Sequence, residues 1–147
     1  MSGEESSFEP VAILGASGRF PGASTIDELW RNTLEGRVSL RRLAADELER
    51  HPLMSEQHVA PGFVPVSGGI VARFDFDPDF FGVTSGEAKR MDPQLRVLLE
   101  CVWEAFELAG LVPGPHLGKT SIYAGESRTD HIVLSALGAA DPSVFAM

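Results

Sequence analysis

The stretch from Asp92 to Gly110 constrains this chain more than any other. Asp92-Pro93 supplies an N-cap followed by proline at the first helical position, Gly110 supplies a stop, and Pro113 and Pro115 forbid continuation. Between them Leu95, Leu98, Leu99, Val102, Trp103 and Phe106 recur at helical spacing. Val97, Cys101, Ala105 and Leu108 widen that apolar face, leaving Gln94, Arg96, Glu100, Glu104 and Glu107 as a narrower polar strip. So wide an apolar face predicts a helix packed on more than one side.

Two short apolar runs are the natural partners for such a helix. Val11-Ala12-Ile13-Leu14 ends at Gly15, and Thr120-Ser121-Ile122-Tyr123-Ala124 ends at Gly125. Each reads as a strand buried on both faces, because an uninterrupted apolar run bounded by glycine has no side to turn to water. The chain is therefore expected to be α/β.

The remaining elements are shorter. Thr25-Ile26-Asp27-Glu28 is a capping box ahead of Ile26, Leu29, Trp30, Thr33 and Leu34, and Gly36 stops that helix. Residues 37–65 read as loop with one short helix around Ala44 to Arg50, since Pro52, Pro61 and Pro65 interrupt anything longer. Val66 to Phe74 suits a strand or extended arm. Phe80-Phe81 is expected to wedge beneath a neighbouring element, and Thr84-Ser85-Gly86-Glu87 is a second capping box opening a short helix through Lys89. A last amphipathic piece runs from Asp130 to Leu137. There is no internal repeat.

With 147 residues the chain has room for one ordinary domain. Twelve lysines and arginines against 21 aspartates and glutamates give a net charge of −9, which repels phosphate backbones and anionic headgroups, so neither nucleic acid nor membrane is expected as a partner. Hydrophobic residues at 44% and charged residues at 22% describe a chain that buries apolar surface. Residues 1–9 read as a polar leader without the basic and apolar regions of a signal peptide, and residues 10–147 as the folded part. The single Cys101 makes no internal disulfide, and no apolar stretch approaches the roughly 20 residues of a membrane helix; a cytoplasmic location is expected.

Candidate chemistry is sparse. Gly15-Ala16-Ser17-Gly18-Arg19-Phe20-Pro21-Gly22 follows a predicted strand, as a dinucleotide-binding turn would. In such a site, however, the helix begins inside the glycine motif, whereas here the capping box starts only at Thr25. A small dinucleotide-binding protein using Gly15 to Gly22 is the weaker alternative. Cys101 lies mid-helix without a histidine neighbour in sequence and reads as a packed small hydrophobe. His51, His58, His116 and His131 have none of the paired spacings that metals require. Asp75, Asp77 and Asp79 fail as a calcium loop, because positions six and twelve counted from Asp75 are Phe80 and Gly86. No serine sits in a Gly-x-Ser-x-Gly elbow. No catalytic, cofactor-binding or metal-binding residue, and no cofactor, is assigned.

Several segments together resemble the β-ketoacyl synthases (ketosynthases) of modular polyketide synthases. Val11-Ala12-Ile13-Leu14-Gly15 with Arg19-Phe20-Pro21-Gly22 is similar to that family's opening, and Leu29-Trp30 through Glu35-Gly36 to its next helix. Phe76-Asp77, Phe80-Phe81-Gly82 and Glu87-Ala88 resemble a further signature. So do Met91-Asp92-Pro93-Gln94 with Arg96 and Leu99-Glu100, then Trp103-Glu104-Ala105 and Ala109-Gly110. Leu99-Glu100-Cys101-Val102-Trp103 looks most like ketosynthases of hybrid or trans-acyltransferase assembly lines. Ala16-Ser17-Gly18 and Gly86 depart mildly from the pattern.

The resemblance implies a thiolase-like αβαβα fold, of which this chain would be an incomplete N-terminal portion truncated before the catalytic cysteine. It also implies a homodimeric parent domain that condenses acyl and malonyl-type thioesters on acyl carrier protein. The family's nucleophilic cysteine, its two histidines and its lysine match no residue here, so this chain alone is expected to be inactive. A free-standing, truncated ketosynthase-like binding or scaffold module is the second reading. In the first reading core partners are missing and uncovered apolar surface is expected, whereas an independent module is expected to show a polar outer face on the long helix.

Overall fold

The computed structural model describes residues 10–50, 61–70 and 75–127. Helix α1 spans Ile26–Leu34, strand β1 Arg41–Arg42, helix α2 Ala45–Arg50, strand β2 Val66–Ser67, helix α3 Ser85–Arg90 and helix α4 Pro93–Leu108. A 3₁₀ turn follows at Pro115–Leu117.

The helix ends follow from local chemistry. Thr25 Oγ1 accepts from the Glu28 N–H at 3.1 Å, as the capping box requires. The return bond is shifted by one residue, because the Glu28 carboxylate takes the N–H of Ser24 at 2.7 Å. Around α3 both bonds of the box form, between Thr84 and Glu87. Asp92 caps α4 through Gln94 N–H at 2.8 Å, with Pro93 inside the first turn. At the C-termini, Gly36 (φ +64°) and Gly110 (φ +67°) adopt the left-handed conformation. The next residues close the 6→1 bonds of Schellman motifs, Arg37 N–H to Asn32 O and Leu111 N–H to Phe106 O, each at 2.9 Å.

The sheet is a two-stranded antiparallel pair, with Arg41 opposite Ser67 and Arg42 opposite Val66. It falls where the sequence reads as loop on one side and as strand or arm on the other. Two-residue strands carry too little periodicity to be read. Arg41 bonds the Glu47 carboxylate at 2.8 and 2.6 Å, and the same carboxylate takes the Ala44 N–H, tying β1 to the start of α2. The short helix expected within residues 37–65 is α2.

The two expected buried strands are corrected by the structure. Residues 11–14 and 120–124 belong to no hydrogen-bonded ladder, and Val11 (92% exposed), Ile13 (88%), Ile122 (81%) and Tyr123 (95%) face solvent. Parallel-type strands acquire their burial from neighbours in the sheet and from helices on both faces. Here the described residues supply α4 alone. Val71 to Phe74, the piece from Asp130 to Leu137, and residues 1–9 lie outside the described residues.

Helix α4 organises what packing there is. Phe80 meets Trp103 edge to face at 4.8 Å, while Phe81 is T-shaped to Phe80 and stacked on Phe76 at 5.0 Å. The aromatic wedge thus sits on α4. Gly15 lies so close that a side chain there would overlap the Ala105 carbonyl and reach the Ala109 backbone nitrogen at 3.0 Å. The helix is met from several sides, yet none of its residues is buried, and Leu95, Leu98 and Val102 remain about two-fifths exposed. Among the described residues the buried apolar side chains are Ala23, Leu43, Leu48 and Ala88.

Candidate functional site

A polar cluster joins the loop after residues 11–14 to the middle of α4. Arg19 lays both terminal nitrogens of its guanidinium on the Glu104 carboxylate, Nη1 to Oε2 at 2.8 Å and Nη2 to Oε1, and the Ser17 hydroxyl donates to the same Oε2. Arg19 Nη1 also reaches the Ser24 carbonyl at 3.2 Å. A planar fork on a carboxylate is the strong form of this contact. The Arg19 side-chain bond lowers the Glu104 carboxyl to about 2, against a smaller opposing effect of burial. The bond to Glu104 also raises the already high value of Arg19.

Beside this cluster is a cleft of about 380 Å³ floored by Leu95, Leu98 and Cys101 of α4. Arg19 and Ile70 line it on one side, and Gln94 with Gly125 and Glu126 on the other. Gln94 holds the second wall: its side-chain N–H donates to the Ser127 carbonyl at 3.1 Å and its Oε1 accepts from the Ser127 N–H at 3.4 Å. A second cleft, about 650 Å³, has Val102, Ala105 and Phe106 as its floor and residues 12–15 and 120–123 as its walls.

Cys101 is half-buried and free. Burial pushes its thiol above the usual range; the Arg19 charge opposes this and Glu104 reinforces it. The local field therefore does not create the thiolate a nucleophile needs. Glu100, one residue earlier, is likewise raised by burial.

The glycines of residues 15–22 serve packing. Gly15 admits the backbone of α4, and Gly22 (φ +71°) admits Ser39. Phe20 and Ala23 close a turn on one another at 2.8 and 3.0 Å, and helix α1 begins beyond it. No helix N-terminus faces the glycine loop from within it, so the arrangement differs from a pyrophosphate turn. Asp77 Oδ1 caps a turn through the Phe80 N–H at 3.1 Å, and His116 lies in the 3₁₀ turn. His51, His58 and His131 lie outside the described residues. Among the described residues no group of three or more His, Cys, Asp and Glu is placed to hold a metal, and no helix is long and apolar enough to cross a membrane.

The sequence reading missed the Arg19–Glu104 and Gln94–Ser127 contacts. It placed Glu104 and Gln94 on the narrower polar strip of the helix and gave them no partner, whereas each engages a segment far away in the chain. A carboxylate or amide on such a strip has the same sequence appearance whether water or a loop covers it.

Comparison with known proteins gives a consistent picture. Residues 8–143 match the family model of the β-ketoacyl synthase N-terminal domain. The polyketide synthase PksL of Bacillus subtilis is 41% identical over 117 residues, covering 78% of this chain and 3% of that protein. The polyketide synthase GfsA of Streptomyces halstedii is 40% identical over 136 residues, covering 89% of this chain and 2% of its own length. Among solved structures, ketosynthase twelve of the bacillaene polyketide synthase from Bacillus amyloliquefaciens superposes with a TM-score of 0.54 at 38% identity, over 65% of this chain and 17% of that one. The ketosynthase from module 1 of the bacillaene synthase of the same species gives 0.52 at 41% identity, over 65% and 16%. The chain thus spans a small fraction of the proteins it matches.

Proposed function

This chain belongs to the β-ketoacyl synthase family, matching its N-terminal domain, and from that premise we propose that residues 10–147 are the N-terminal segment of a polyketide synthase condensing domain. In that reading the complete domain joins acyl and malonyl-type units. A cysteine thiolate takes the acyl group from a carrier thioester and releases the carrier thiol. Decarboxylation of the malonyl unit then gives an enolate carbon that attacks the acyl-cysteine carbonyl. A carbon–carbon bond forms, CO₂ has left, and the cysteine thiolate is regenerated, with histidine donors stabilising the developing oxyanion.

None of these groups is assigned to a residue of this chain. Cys101 sits mid-helix with its thiol held protonated by burial, and it is read as a packing residue. The segment's part is structural: α4 and its two extended runs are to be completed by the rest of the domain. Acyl carrier protein, a second copy of the domain and a cytoplasmic setting are the partners and place this reading implies.

The observation that supports it is the solvent-facing apolar edge left by Val11 and Ile13 of one extended run and by Ile122 and Tyr123 of the other. Such an edge asks for cover in a finished fold. The test is the intact mass of the native gene product, detected with an antibody to this segment. A mass well above 15.8 kDa, together with the missing cysteine and histidines in the longer chain, is expected. A product of 15.8 kDa overturns the reading in favour of a free-standing module.

A further inference from the structure

Gln94, Leu98 and Cys101 lie at i, i+4 and i+7 of α4 and so share one face of it. That face floors the 380 Å³ cleft, whose far wall is Gly125 and Glu126. The wall is attached to the helix beside the cleft by the paired bonds between the Gln94 side chain and the N–H and C=O of Ser127. A primary amide that donates to and accepts from a single residue reproduces the exchange of two bonds found between paired strand residues.

The opposite wall is attached through Arg19 and Ser17 to Glu104. Gln94 and Glu104 are ten residues apart, about 15 Å of helix at the usual rise. Each holds the chain two to four residues beyond the glycine that ends an extended run, Gly15 in one case and Gly125 in the other.

We propose that Gln94 is a positioning residue that clamps residues 125–127 onto α4 and thereby sets the width of the cleft over Cys101, with Glu104 holding the opposing wall. This goes beyond membership of the family and does not depend on the activity of the completed domain. It concerns the geometry of α4 and its two tethered segments.

Cys101 is the natural reporter, because it lies in the cleft floor and falls in a tryptic peptide, Val97–Lys119, that contains no other cysteine. In the full-length protein carrying this segment, Gln94→Leu keeps the side-chain bulk and removes both bonds. Gln94→Glu keeps an acceptor for the Ser127 N–H and loses the donor to its carbonyl. Two rates are measured, maleimide labelling of Cys101 and deuterium exchange of the Ser127 amide.

Gln94→Leu should raise both rates about three- to ten-fold, the opening that loss of a two-point neutral contact produces. Gln94→Glu keeps the acceptor for the Ser127 N–H but sets its second oxygen against the Ser127 carbonyl, so its Ser127 exchange rate should fall between those of the wild type and Gln94→Leu. If either rate is unchanged in Gln94→Leu, the proposal is overturned. It is also overturned if both variants accelerate both rates in step with a loss of helical circular dichroism, because the residue would then act only on the stability of α4.

Discussion

Arg19 and Glu104, 85 residues apart in sequence, meet as a two-point fork, and Ser17 donates to the same carboxylate. This contact fixes the glycine-rich loop against the middle of the long helix. It therefore decides where the first extended run lies.

Removing the fork while keeping the charge should separate geometry from electrostatics. Arg19→Lys retains a cation but cannot span both oxygens. The Glu104 side chain is 38% exposed, so solvent screening limits the loss to about 1 kcal/mol. A lower urea midpoint with unchanged slope is expected, accompanied by faster amide exchange in residues 15–22. An unaltered midpoint would show that the loop is held by packing alone.

Acid should loosen the same contact. Glu104 in the folded state titrates at about 2 rather than the ordinary 4.5, chiefly through its bond to Arg19. A depressed folded value means that the unfolded chain binds the extra proton first. The stabilisation is complete above about 4.5 and is lost as pH falls toward 2. Glu100, raised by burial, acts with the opposite sign, since the folded chain takes up its proton first. Glu104→Gln should flatten the fall in stability below pH 4.5, as read from urea midpoints across pH.

The aromatic wedge gives an optical test. Trp103 meets Phe80 edge to face, while Trp30 is 63% exposed. Phe80→Ala should cost about 1–2 kcal/mol, because Phe80 is itself half exposed and the ring pair adds only modestly. Trp103 emission should shift to the red and its acrylamide quenching should rise, with Trp30 unchanged. Trp30→Phe isolates the signal.

Two glycines should respond differently to alanine. Gly110 has nothing within 4 Å of a new Cβ, so Gly110→Ala meets only the strain of φ +67°, about 1 kcal/mol, and Gly110→Asn should be milder. Gly15→Ala would overlap the Ala105 carbonyl and should displace the whole run from α4. The expected result is a larger loss of stability for Gly15→Ala, with exchange protection lost around Ala105 to Ala109. Equal effects would place the first run elsewhere.

Helix starts and stops were legible because each is a local bargain of a few residues: Thr25 with Glu28, Thr84 with Glu87, Asp92 with Gln94, and the glycines at 36 and 110. The apolar character of residues 11–14 and 120–124 was equally plain, and the family followed from motifs spread along the chain. Burial of those two runs was not legible. It depends on sheet neighbours, and an apolar run looks the same in sequence whether or not they are present.

By itself, then, the sequence determined where α1, α3 and α4 begin and end, which residues carry apolar surface, and which family the chain joins. Only the tertiary structure decided that Glu104 faces Arg19 and Ser17, that Gln94 grips Ser127, and that Val11 and Tyr123 stand in water. Capping and periodicity act over three or four residues and are written in local spacing. Contacts between residue 19 and residue 104, or 94 and 127, depend on the path of the chain through space, which local spacing does not encode.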